Sequence, residues 1–362
     1  MRALIFFMFI LSCLYYSVKA FSSPDEIKLP QGFKIEEFAT GLNSPRFMAY
    51  SPDGVLFATI IGDGKVVALL DKDNNGKADK TITFAKGLKK PHGIDFYMSY
   101  LYIGETNQIV RFKYNGFDSP LGKKEIIVPN LPTSGHFTRS VGFGPDGKMY
   151  VSIGSSCNVC VEKDERRAAI LQFNPDGSGG KIFAKGLRNS VGITWHPETK
   201  EMWATDNGRD WLGNDLPPEE INIVKQGRNY GWPYCYGDGI PDPEYGKHDF
   251  CTETTPPTFK MQAHSAPLGL TFYTGKLFPK EYWGDIFVAF HGSWNRTEPT
   301  GYKVVRIKIK GGMPEEIEDF ATGWLQGLRA WGRPVDVIVG PDGNLYVSDD
   351  RGGVVYRIRP KK

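Results

Sequence analysis

A short strand-like pattern recurs six times along this chain of 362 residues, and it constrains the fold more than any other feature of the sequence. In each copy, apolar and β-branched residues surround one aromatic residue. The aromatic residues of the six copies are Phe57, Tyr102, Tyr150, Trp203, Phe287 and Tyr346. Successive copies are about 45 to 60 residues apart, with one wider gap, and this spacing is typical of propeller blades made of four short strands.

The segments around the copies support the same architecture. Four copies follow a turn that contains a proline and an acidic residue, such as PDG at 52–54 and 145–147. Most copies precede another strand-like run, such as VVALL or AAILQF. The wide gap between Trp203 and Phe287 contains the Gly-, Pro- and Cys-rich stretch 208–260, which we expect to form an elaborated loop on one face.

These observations predict an all-β fold, a six-bladed β-propeller, with residues 21–362 as one domain. A ring of blades hides the edges of its sheets, which addresses the tendency of exposed edge strands to pair with other chains. No linker-like stretch divides the chain. A pair of β-sandwiches is the alternative, and the blade-like spacing argues against it.

Residues 1–20 have the pattern of a secretory signal peptide. Arg2 precedes an apolar run, and the short residues at its end fit cleavage after Ala20. The run is too short for a stable membrane span, so we expect a periplasmic or secreted protein. Lipidation at Cys13 and an uncleaved anchor are alternatives; the apolar run continues past Cys13, which argues against the first of them.

Four cysteines would remain after cleavage, namely Cys157, Cys160, Cys235 and Cys251. An even number of cysteines in an oxidising compartment predicts disulfides. Proximity in the sequence favours the pairs Cys157–Cys160 and Cys235–Cys251, although three pairings are possible. A zinc site made of four thiolates is the alternative, and the wide, unequal spacing argues against it.

Composition and missing motifs exclude several classes of function. The net charge of +3 is too small to indicate a nucleic-acid partner, so small molecules are the expected partners. No G-x-S-x-G elbow of a serine hydrolase occurs in the sequence. A Walker pattern and a strand-associated G-x-G-x-x-G are also missing, which argues against nucleotide chemistry.

Polar residues that can carry chemistry lie in the predicted loops next to the repeat strands. They are His136 before the third copy, Arg188 and Asn189 before the fourth, Asn207, Gly208, Arg209 and Asp210 after the fourth, His291 after the fifth, and Arg333 before the sixth. A propeller places such loops on one face around its central channel. Arginine and asparagine side chains there would suit an anionic, carbonyl-rich ligand, because arginine forks match carboxylates. A neutral histidine beside them can remove a proton.

The other histidines are weaker candidates. His92 and His264 also precede strand-like runs, so they are candidates for the same channel. His196 and His248 are predicted to be ordinary turn or surface residues.

The stretch DKDNNGKAD at 71–79 resembles an oxygen-rich calcium loop. Ile82 stands where the calcium loop of an EF-hand would have a bidentate glutamate. A polar turn between two strands is therefore the favoured interpretation of this stretch.

Longer motifs connect the chain to a known family. The run RNSVGITWHPETKEMWATDNGRD…EEINIVKQGRNYGWP at 188–233 closely resembles the soluble quinoprotein sugar dehydrogenases, the glucose/sorbosone dehydrogenase family. HGSWNR at 291–296 and SSCNVC at 155–160 are similar to its sorbosone and pyranose dehydrogenase members. The resemblance covers most of the chain after about residue 30. It implies a six-bladed propeller that binds pyrroloquinoline quinone (PQQ) and a calcium ion.

The resemblance also implies roles for individual residues. His136 matches the general base of the family, and Arg188 and Asn189 match its quinone-contacting pair. Gly208 and Arg209 match the two residues whose backbone carbonyls hold the calcium ion.

Two positions depart from the family pattern. Arg333, in GRPVDV, matches the first arginine of the R-x-R-D motif, and Asp336 is retained, but Val335 replaces the second arginine. The cofactor-contacting lysine of the family has no clear counterpart, and His291 or a neighbour occupies that region.

The expected function is therefore oxidation of an aldose or sugar aldehyde by hydride transfer to PQQ, with His136 as the general base. Val161 follows the second cysteine of the C-x-x-C, so covalent haem attachment is not expected, and electrons would pass to a separate acceptor such as a cytochrome or a quinone. A metal-dependent lactonase or esterase on a six-bladed propeller is one alternative, with Asn207 and Asp210 as ligands. A non-catalytic propeller that binds carbohydrate or protein is the other.

Overall fold

The computed structural model describes residues 24–119 and 121–361. The predicted signal peptide at 1–20 and Cys13 lie outside the described residues. The described chain begins with a 3-10 turn at Pro24–Glu26 and strand β1 (Phe33–Ala39). None of its helices has the length and apolar character needed to cross a bilayer.

Within the described residues, six four-stranded antiparallel sheets follow one another along the chain. Blades 1 and 2 contain β2 (Pro45–Tyr50), β3 (Leu56–Ile60), β4 (Lys65–Leu70), β5 (Lys80–Lys86), β6 (Ile94–Tyr97), β7 (Tyr100–Glu105), β8 (Gln108–Lys113) and β9 (Glu125–Val128). Blades 3 and 4 contain β10 (Arg139–Phe143), β11 (Met149–Ile153), β12 (Ala169–Phe173), β13 (Lys181–Lys185), β14 (Ile193–Trp195), β15 (Met202–Asp206) and β16 (Glu219–Val224), together with β19 (Phe259–Met261) as the outer strand of blade 4.

An insertion separates the last two strands of blade 4. It contains a hairpin, a short helix and the disulfide Cys235–Cys251. Its elements are β17 (Cys235–Tyr236), β18 (Ile240–Pro241) and α1 (His248–Thr252). The stretch 208–260, predicted as one elaborated loop, thus consists of a loop after β15, strand β16 and this insertion.

Blades 5 and 6 complete the ring. Their strands are β20 (Pro267–Phe272), β21 (Ile286–Phe290), β22 (Lys303–Lys310), β23 (Met313–Ala321), β26 (Pro334–Val339), β27 (Leu345–Asp349) and β28 (Val354–Pro360); a 3-10 turn lies at Lys280–Tyr282, and a small hairpin, β24 (Leu325–Gln326) and β25 (Arg329–Ala330), connects the two blades. The outer strand of blade 6 is β1, which pairs with β28 in the register Phe33↔Pro360 to Ala39↔Val355. The two ends of the chain therefore share one blade.

The first strands of successive blades contact each other around the ring, in the order β2, β6, β10, β14, β20 and β26, and β26 contacts β2. The predicted all-β fold, a six-bladed β-propeller, is confirmed. The inner strands approach closely, which explains glycines near their starts: a Cβ at Gly192 would lie 2.2 Å from the Leu268 carbonyl oxygen, and one at Gly269 would lie 2.1 Å from Asp336 Oδ1.

Each repeated motif is the second strand of its blade, and in five of the six motifs the aromatic side chain packs toward the next blade. The ring centroids of Phe57 and Phe96 are 5.1 Å apart, and those of Trp203 and Phe272 are 5.4 Å apart. Equivalent pairs join blade 2 to blade 3, blade 3 to blade 4 and blade 6 to blade 1. Phe287 instead joins an aromatic cluster with Tyr273, Phe278, Tyr282 and Phe320. The recurring aromatic residues of the sequence therefore fill most of the interfaces between neighbouring sheets.

Both predicted disulfides, Cys157–Cys160 and Cys235–Cys251, are present. The alternative of a four-thiolate zinc site is wrong, because all four sulfur atoms are used in these bonds. The first disulfide lies in the loop after β11, and the second closes the insertion of blade 4.

Candidate active site

The starts of the inner strands and the ends of the second strands meet on one face of the propeller, because strands alternate in direction within every blade. All the sequence-predicted site residues lie next to these strand ends. Among the described residues, a cavity of about 230 Å³ at this mouth of the channel is lined by Arg46, His136, Phe137, Thr138, Arg188, Asn189, Val191, Asn207, Gly208, Asp210, Glu219, His264, Ala266, Leu268, His291, Gly292, Trp294, Asn295 and Arg333. Of the predicted residues, Arg209 and His92 do not line it. A larger cavity, about 380 Å³, occupies the opposite mouth and contains none of them.

His136 lies in the loop before β10. Its Nδ1 is 2.9 Å from the backbone carbonyl oxygen of Ser155. A carbonyl only accepts hydrogen bonds, so Nδ1 carries the proton and Nε2 keeps its lone pair. Burial, together with the positive charges of Arg188 and Arg167, lowers the pKa of His136 to about 4. The ring is therefore neutral at neutral pH and can accept a proton at Nε2.

Arg188 is buried in the cavity wall and is held by the disulfide loop. Its Nε donates to the Asn158 carbonyl at 2.9 Å, and its Nη2 donates to Asn158 Oδ1 at 3.0 Å. Nη1 donates to the Asn207 carbonyl at 3.2 Å, and Asp210 lies 3.5 Å from Nη2. Most of the five N–H donors of this guanidinium are thus already used, so Arg188 contributes mainly a fixed positive charge.

Asn189 is oriented from two sides. Asp206, at the end of β15, accepts the backbone N–H groups of Arg188 at 3.0 Å and of Asn189 at 2.7 Å. Thr138 Oγ1 donates to Asn189 Oδ1 at 2.7 Å, which leaves the amide nitrogen of Asn189 for a ligand.

Arg333 is anchored differently from Arg188. Its Nε donates to the His291 carbonyl at 2.9 Å, and its Nη2 donates to the Gly292 carbonyl at 2.8 Å. No carboxylate of the described residues forms an ion pair with it, and burial lowers its pKa. Arg333 therefore brings an unneutralised cation with free N–H donors to the cavity.

His291 stands in the region where the family pattern has a lysine. Its Nε2 is 3.0 Å from both oxygens of Asp350. Burial lowers the pKa of His291 to about 4, although the carboxylate raises it. Burial alone would raise the pKa of Asp350. The hydrogen bond from His291 and the charge of Arg46 nevertheless hold this pKa well below its usual range. His291 is consequently a neutral residue tied to a charged partner.

Arg46, at the start of β2, is a residue that sequence reasoning missed. It forms an ion pair with Asp350, with Nη1 2.8 Å from Oδ2. Its Nε is buried and has no hydrogen-bond partner among the described residues. Val335, by contrast, is fully buried against Val191 and Leu268 and cannot present a polar group. The second cation on this side of the cavity thus comes from blade 1, and no motif in the sequence indicated it.

Gly208 and Arg209 form the turn after β15. The Gly208 N–H donates to Glu219 Oε2 at 2.8 Å, and burial raises the pKa of Glu219 to about 7. The Arg209 side chain points away from the cavity and pairs with Asp242, with Nη1 2.9 Å from Oδ2. The Arg209 side chain is therefore not available as a ligand at this mouth.

The four remaining histidines differ in burial and in their distance from the cavity. His264 lines the cavity, with Nε2 2.8 Å from the Gly213 carbonyl and Nδ1 3.9 Å from Asp210. His92 is fully buried beside Arg46 and does not line the cavity. His196 is a turn residue, as predicted, because its Nδ1 accepts the N–H groups of Glu198 and Thr199 at 3.1 Å; it is buried rather than at the surface, and its ring packs against Phe272. His248 is exposed, as predicted.

The acidic stretch 71–79 connects β4 to β5, far along the chain from the mouth residues. Asp71, Asp73 and Asp79 place their carboxylates close enough to share an ion. All three carboxylates also accept backbone N–H groups of the turn, such as Gly76 N to Asp71 Oδ2 at 2.8 Å and Lys72 N to Asp79 Oδ2 at 2.8 Å. These bonds are those of a polar inter-strand turn, which is the interpretation favoured from the sequence.

Comparisons place the chain among known proteins. A family model described as TrAA12-like matches residues 27–361. An uncharacterized protein of Borreliella burgdorferi is 34% identical over 98% of this chain and 96% of its own length. The pyrroloquinoline quinone-dependent pyranose dehydrogenase of Coprinopsis cinerea is 24% identical over 92% of this chain, which spans about half (54%) of that protein. The calcium structure of the Trichoderma reesei Carbohydrate-Active Enzymes Family AA12 has a TM-score of 0.81 at 22% identity, over 92% of this chain and 97% of that one, and shows the same fold.

Proposed function

The chain belongs to the TrAA12-like family, and from this membership we propose that it oxidises an aldose or sugar aldehyde by hydride transfer to PQQ. The observation that carries the proposal is the convergence of His136, Arg188, Asn189 and Arg333 on one cavity. These residues come from the loops before three different blades. The cavity therefore contains a proton acceptor (His136), two cations (Arg188 and Arg333) and an amide donor (Asn189).

The donor set fits PQQ, which is a flat quinone with carboxylate groups. Arg333 has an unneutralised charge, and Arg46 has a buried Nε without a partner among the described residues. A buried unpaired donor is costly, and a carboxylate would satisfy it. We propose that Arg46 supplies the positive charge that Val335 cannot supply. Arg333, Arg188 and the Asn189 amide would form the other polar contacts with the quinone. His291, neutral and bound to Asp350, would line the same site.

When bound, the quinone supplies an electrophilic carbon that accepts the hydride of the sugar. The protein supplies the proton acceptor: His136 Nε2 takes the proton of the substrate hydroxyl, while Ser155 holds Nδ1–H and so keeps the ring in the required tautomer. Burial against Arg188 keeps the ring neutral before the reaction. His136 is therefore the proposed general base.

A calcium ion would lie near the turn after β15. The backbone carbonyls of Gly208 and Arg209 are the proposed protein ligands, because carbonyl oxygen is a ligand that calcium prefers. The Arg209–Asp242 ion pair and the Gly208–Glu219 hydrogen bond would hold this turn in place. The calcium structure of the Trichoderma reesei relative supports the choice of ion.

We further propose that the protein is exported and passes its electrons to a separate acceptor, a cytochrome or a quinone. Two disulfides in a chain of this size support an oxidising compartment. The Leu11–Cys13 region and the cleavage site after Ala20 would be tested by sequencing the N-terminus of the mature protein.

The alternative of a metal-dependent lactonase has less support. Metal hydrolases of this kind need several carboxylate, amide or imidazole ligands around one ion. Among the described residues, the groups of three His, Cys, Asp or Glu that could hold a metal are Asp71, Asp73 and Asp79, and Cys157, Cys160 and Glu162. Neither group lines the cavity, and Asn207 donates its amide to the Pro267 carbonyl.

The test is reconstitution of the purified protein with PQQ and Ca²⁺, followed by dye reduction with a panel of aldoses. We expect turnover in wild type, a loss of at least about 100-fold in His136→Ala because general-base catalysis is removed, and unchanged PQQ binding in that variant. His248→Ala, at an exposed histidine, is the matched control. Equal activity in His136→Ala would remove it from the mechanism. PQQ-independent hydrolysis of lactones would favour the hydrolase, and bound sugar without turnover would favour a binding propeller.

A further inference from the structure

Two large indole side chains are exposed at the rim of the candidate active site. Trp211 and Trp294 are both 66% exposed, and their ring centroids are 5.2 Å apart with an interplanar angle of 87°. Trp294 lines the cavity, and Trp211 follows Asp210, which also lines it. Large apolar side chains that are exposed together beside a cavity indicate a binding surface, because burying them in a ligand contact is favourable.

The pair is held in place rather than freely mobile. The loop after β15 and the loop after β21 are joined by hydrogen bonds between Asn214 and Thr297, at 3.2 Å and 3.0 Å. Arg296 adds an ion pair with Asp215 at 3.3 Å and a hydrogen bond to the Asn214 carbonyl. Two indoles on two loops of different blades are therefore fixed relative to each other.

The backbone of Trp211 supports a role for its side chain. Its φ angle is 73°, in the left-handed region that is unfavourable for a bulky residue. A residue kept in this conformation while its side chain remains exposed gains little from packing, and such outliers concentrate at functional sites.

A polar group with unused hydrogen-bonding capacity lies next to the indoles. Asn295 lines the cavity, and both its Oδ1 and its Nδ2 are buried without a partner among the described residues. A sugar hydroxyl both donates and accepts, so a pair of hydroxyls matches an amide. Apolar ring faces beside a free amide are the groups that recognise a pyranose ring, whose C–H face is apolar and whose edge is polar.

We propose that Trp211, Trp294 and Asn295 form a subsite for a second pyranose ring, so that the substrates are oligosaccharides whose terminal sugar enters the cavity. The proposal rests on the proposed function for the oxidation of that terminal sugar. Binding at the subsite itself requires no cofactor, which allows the two ideas to be tested separately.

The first experiment measures binding of maltotriose, cellotriose and xylotriose to the purified protein without added cofactor, by calorimetry. We expect at least one trisaccharide to bind, and Trp211→Ala and Trp294→Ala to weaken it about 5- to 10-fold each, as expected for loss of an aromatic contact. Trp283→Ala is the control, because Trp283 is 41% exposed and lies between β20 and β21, at the opposite face.

The second experiment measures kcat/KM for that trisaccharide and for its monosaccharide after reconstitution with PQQ and Ca²⁺. We expect the tryptophan variants to lose about 5- to 10-fold with the trisaccharide and less than about twofold with the monosaccharide. Equal losses with both sugars, or an effect only on reduction of a protein acceptor, would overturn the subsite. Absence of trisaccharide binding would overturn it as well. Tryptophan-dependent binding without any turnover would uphold the subsite and remove the proposed function instead.

Discussion

At the scale of single residues, the surroundings of His136 decide both its tautomer and its pKa. The Ser155 carbonyl accepts a hydrogen bond from Nδ1–H, and burial beside Arg188 favours the neutral ring. The motif around His136 predicted a base at this position, but it contained neither the tautomer nor the shifted pKa. Both depend on groups that are distant in the chain, 19 residues away for Ser155.

The pKa of His136 can be measured without the cofactor. We expect its ring resonances in NMR to titrate near pH 4, because burial and the positive charges of Arg188 and Arg167 favour the neutral form, so the ring stays neutral from pH 6 to 8. In Arg167→Gln the midpoint should move to higher pH, since one of these charges is gone. The His136→Gln spectrum assigns the resonance. A wild-type midpoint near 6.5 would contradict the proposed environment.

At the scale of elements, the loops between second and third strands form the mouth together with the loops that precede the first strands. In blade 3 this loop contains the disulfide Cys157–Cys160, and Asn158 between the two cysteines accepts two hydrogen bonds from Arg188. Asn158 Oδ1 also accepts the Asp210 N–H at 2.8 Å, which connects the loops of blades 3 and 4. The disulfide loop thus positions the arginine of the neighbouring blade.

Replacing Cys157 and Cys160 together by serine should weaken PQQ binding about tenfold with little change in stability. The disulfide closes a very short loop, so its removal frees little chain entropy, whereas Asn158 loses its fixed position. Titration of PQQ and thermal unfolding would separate the two effects.

Removal of the Cys235–Cys251 disulfide is the matched control. This bond spans 16 residues of the outer insertion, so the double serine variant should lose about 3 kcal/mol of stability and keep its PQQ affinity. Unchanged PQQ affinity in the Cys157 and Cys160 variant would show that Asn158 does not position Arg188.

At the scale of the whole molecule, β1 closes the ring by pairing with β28, so the last blade contains both ends of the described chain. Phe33 of β1 packs edge-on against Phe278, Tyr282 and Phe320 of blade 5, with centroids 4.7 to 5.3 Å apart. This contact couples closure of blade 6 to the core of its neighbour.

Phe33→Ala should therefore lower the free energy of unfolding by about 3–5 kcal/mol, because it leaves a cavity in the aromatic cluster. Urea denaturation followed by tryptophan fluorescence measures the change. Met98→Ala, at a side chain that is 76% exposed, should stay within about 0.5 kcal/mol of wild type. A loss of less than about 1 kcal/mol for Phe33→Ala would show that β1 is not coupled to blade 5.

Much of the architecture was determined by the sequence alone. The spacing of Phe57, Tyr102 and their four counterparts predicted the number of blades, because each of these residues lies on the second strand of one blade. The motifs at 188–233, 291–296 and 155–160 indicated the family, and proximity indicated both disulfides.

Only the tertiary structure decided which distant groups share the cavity. Arg46 has no local motif, yet ring closure brings blade 1 beside blade 6 and places its guanidinium against Asp350. The exposed pair Trp211 and Trp294 likewise depends on two loops from different blades. The physical reason is that strand patterns follow from local periodicity, whereas the composition of a channel mouth depends on how six separate blades meet around one axis.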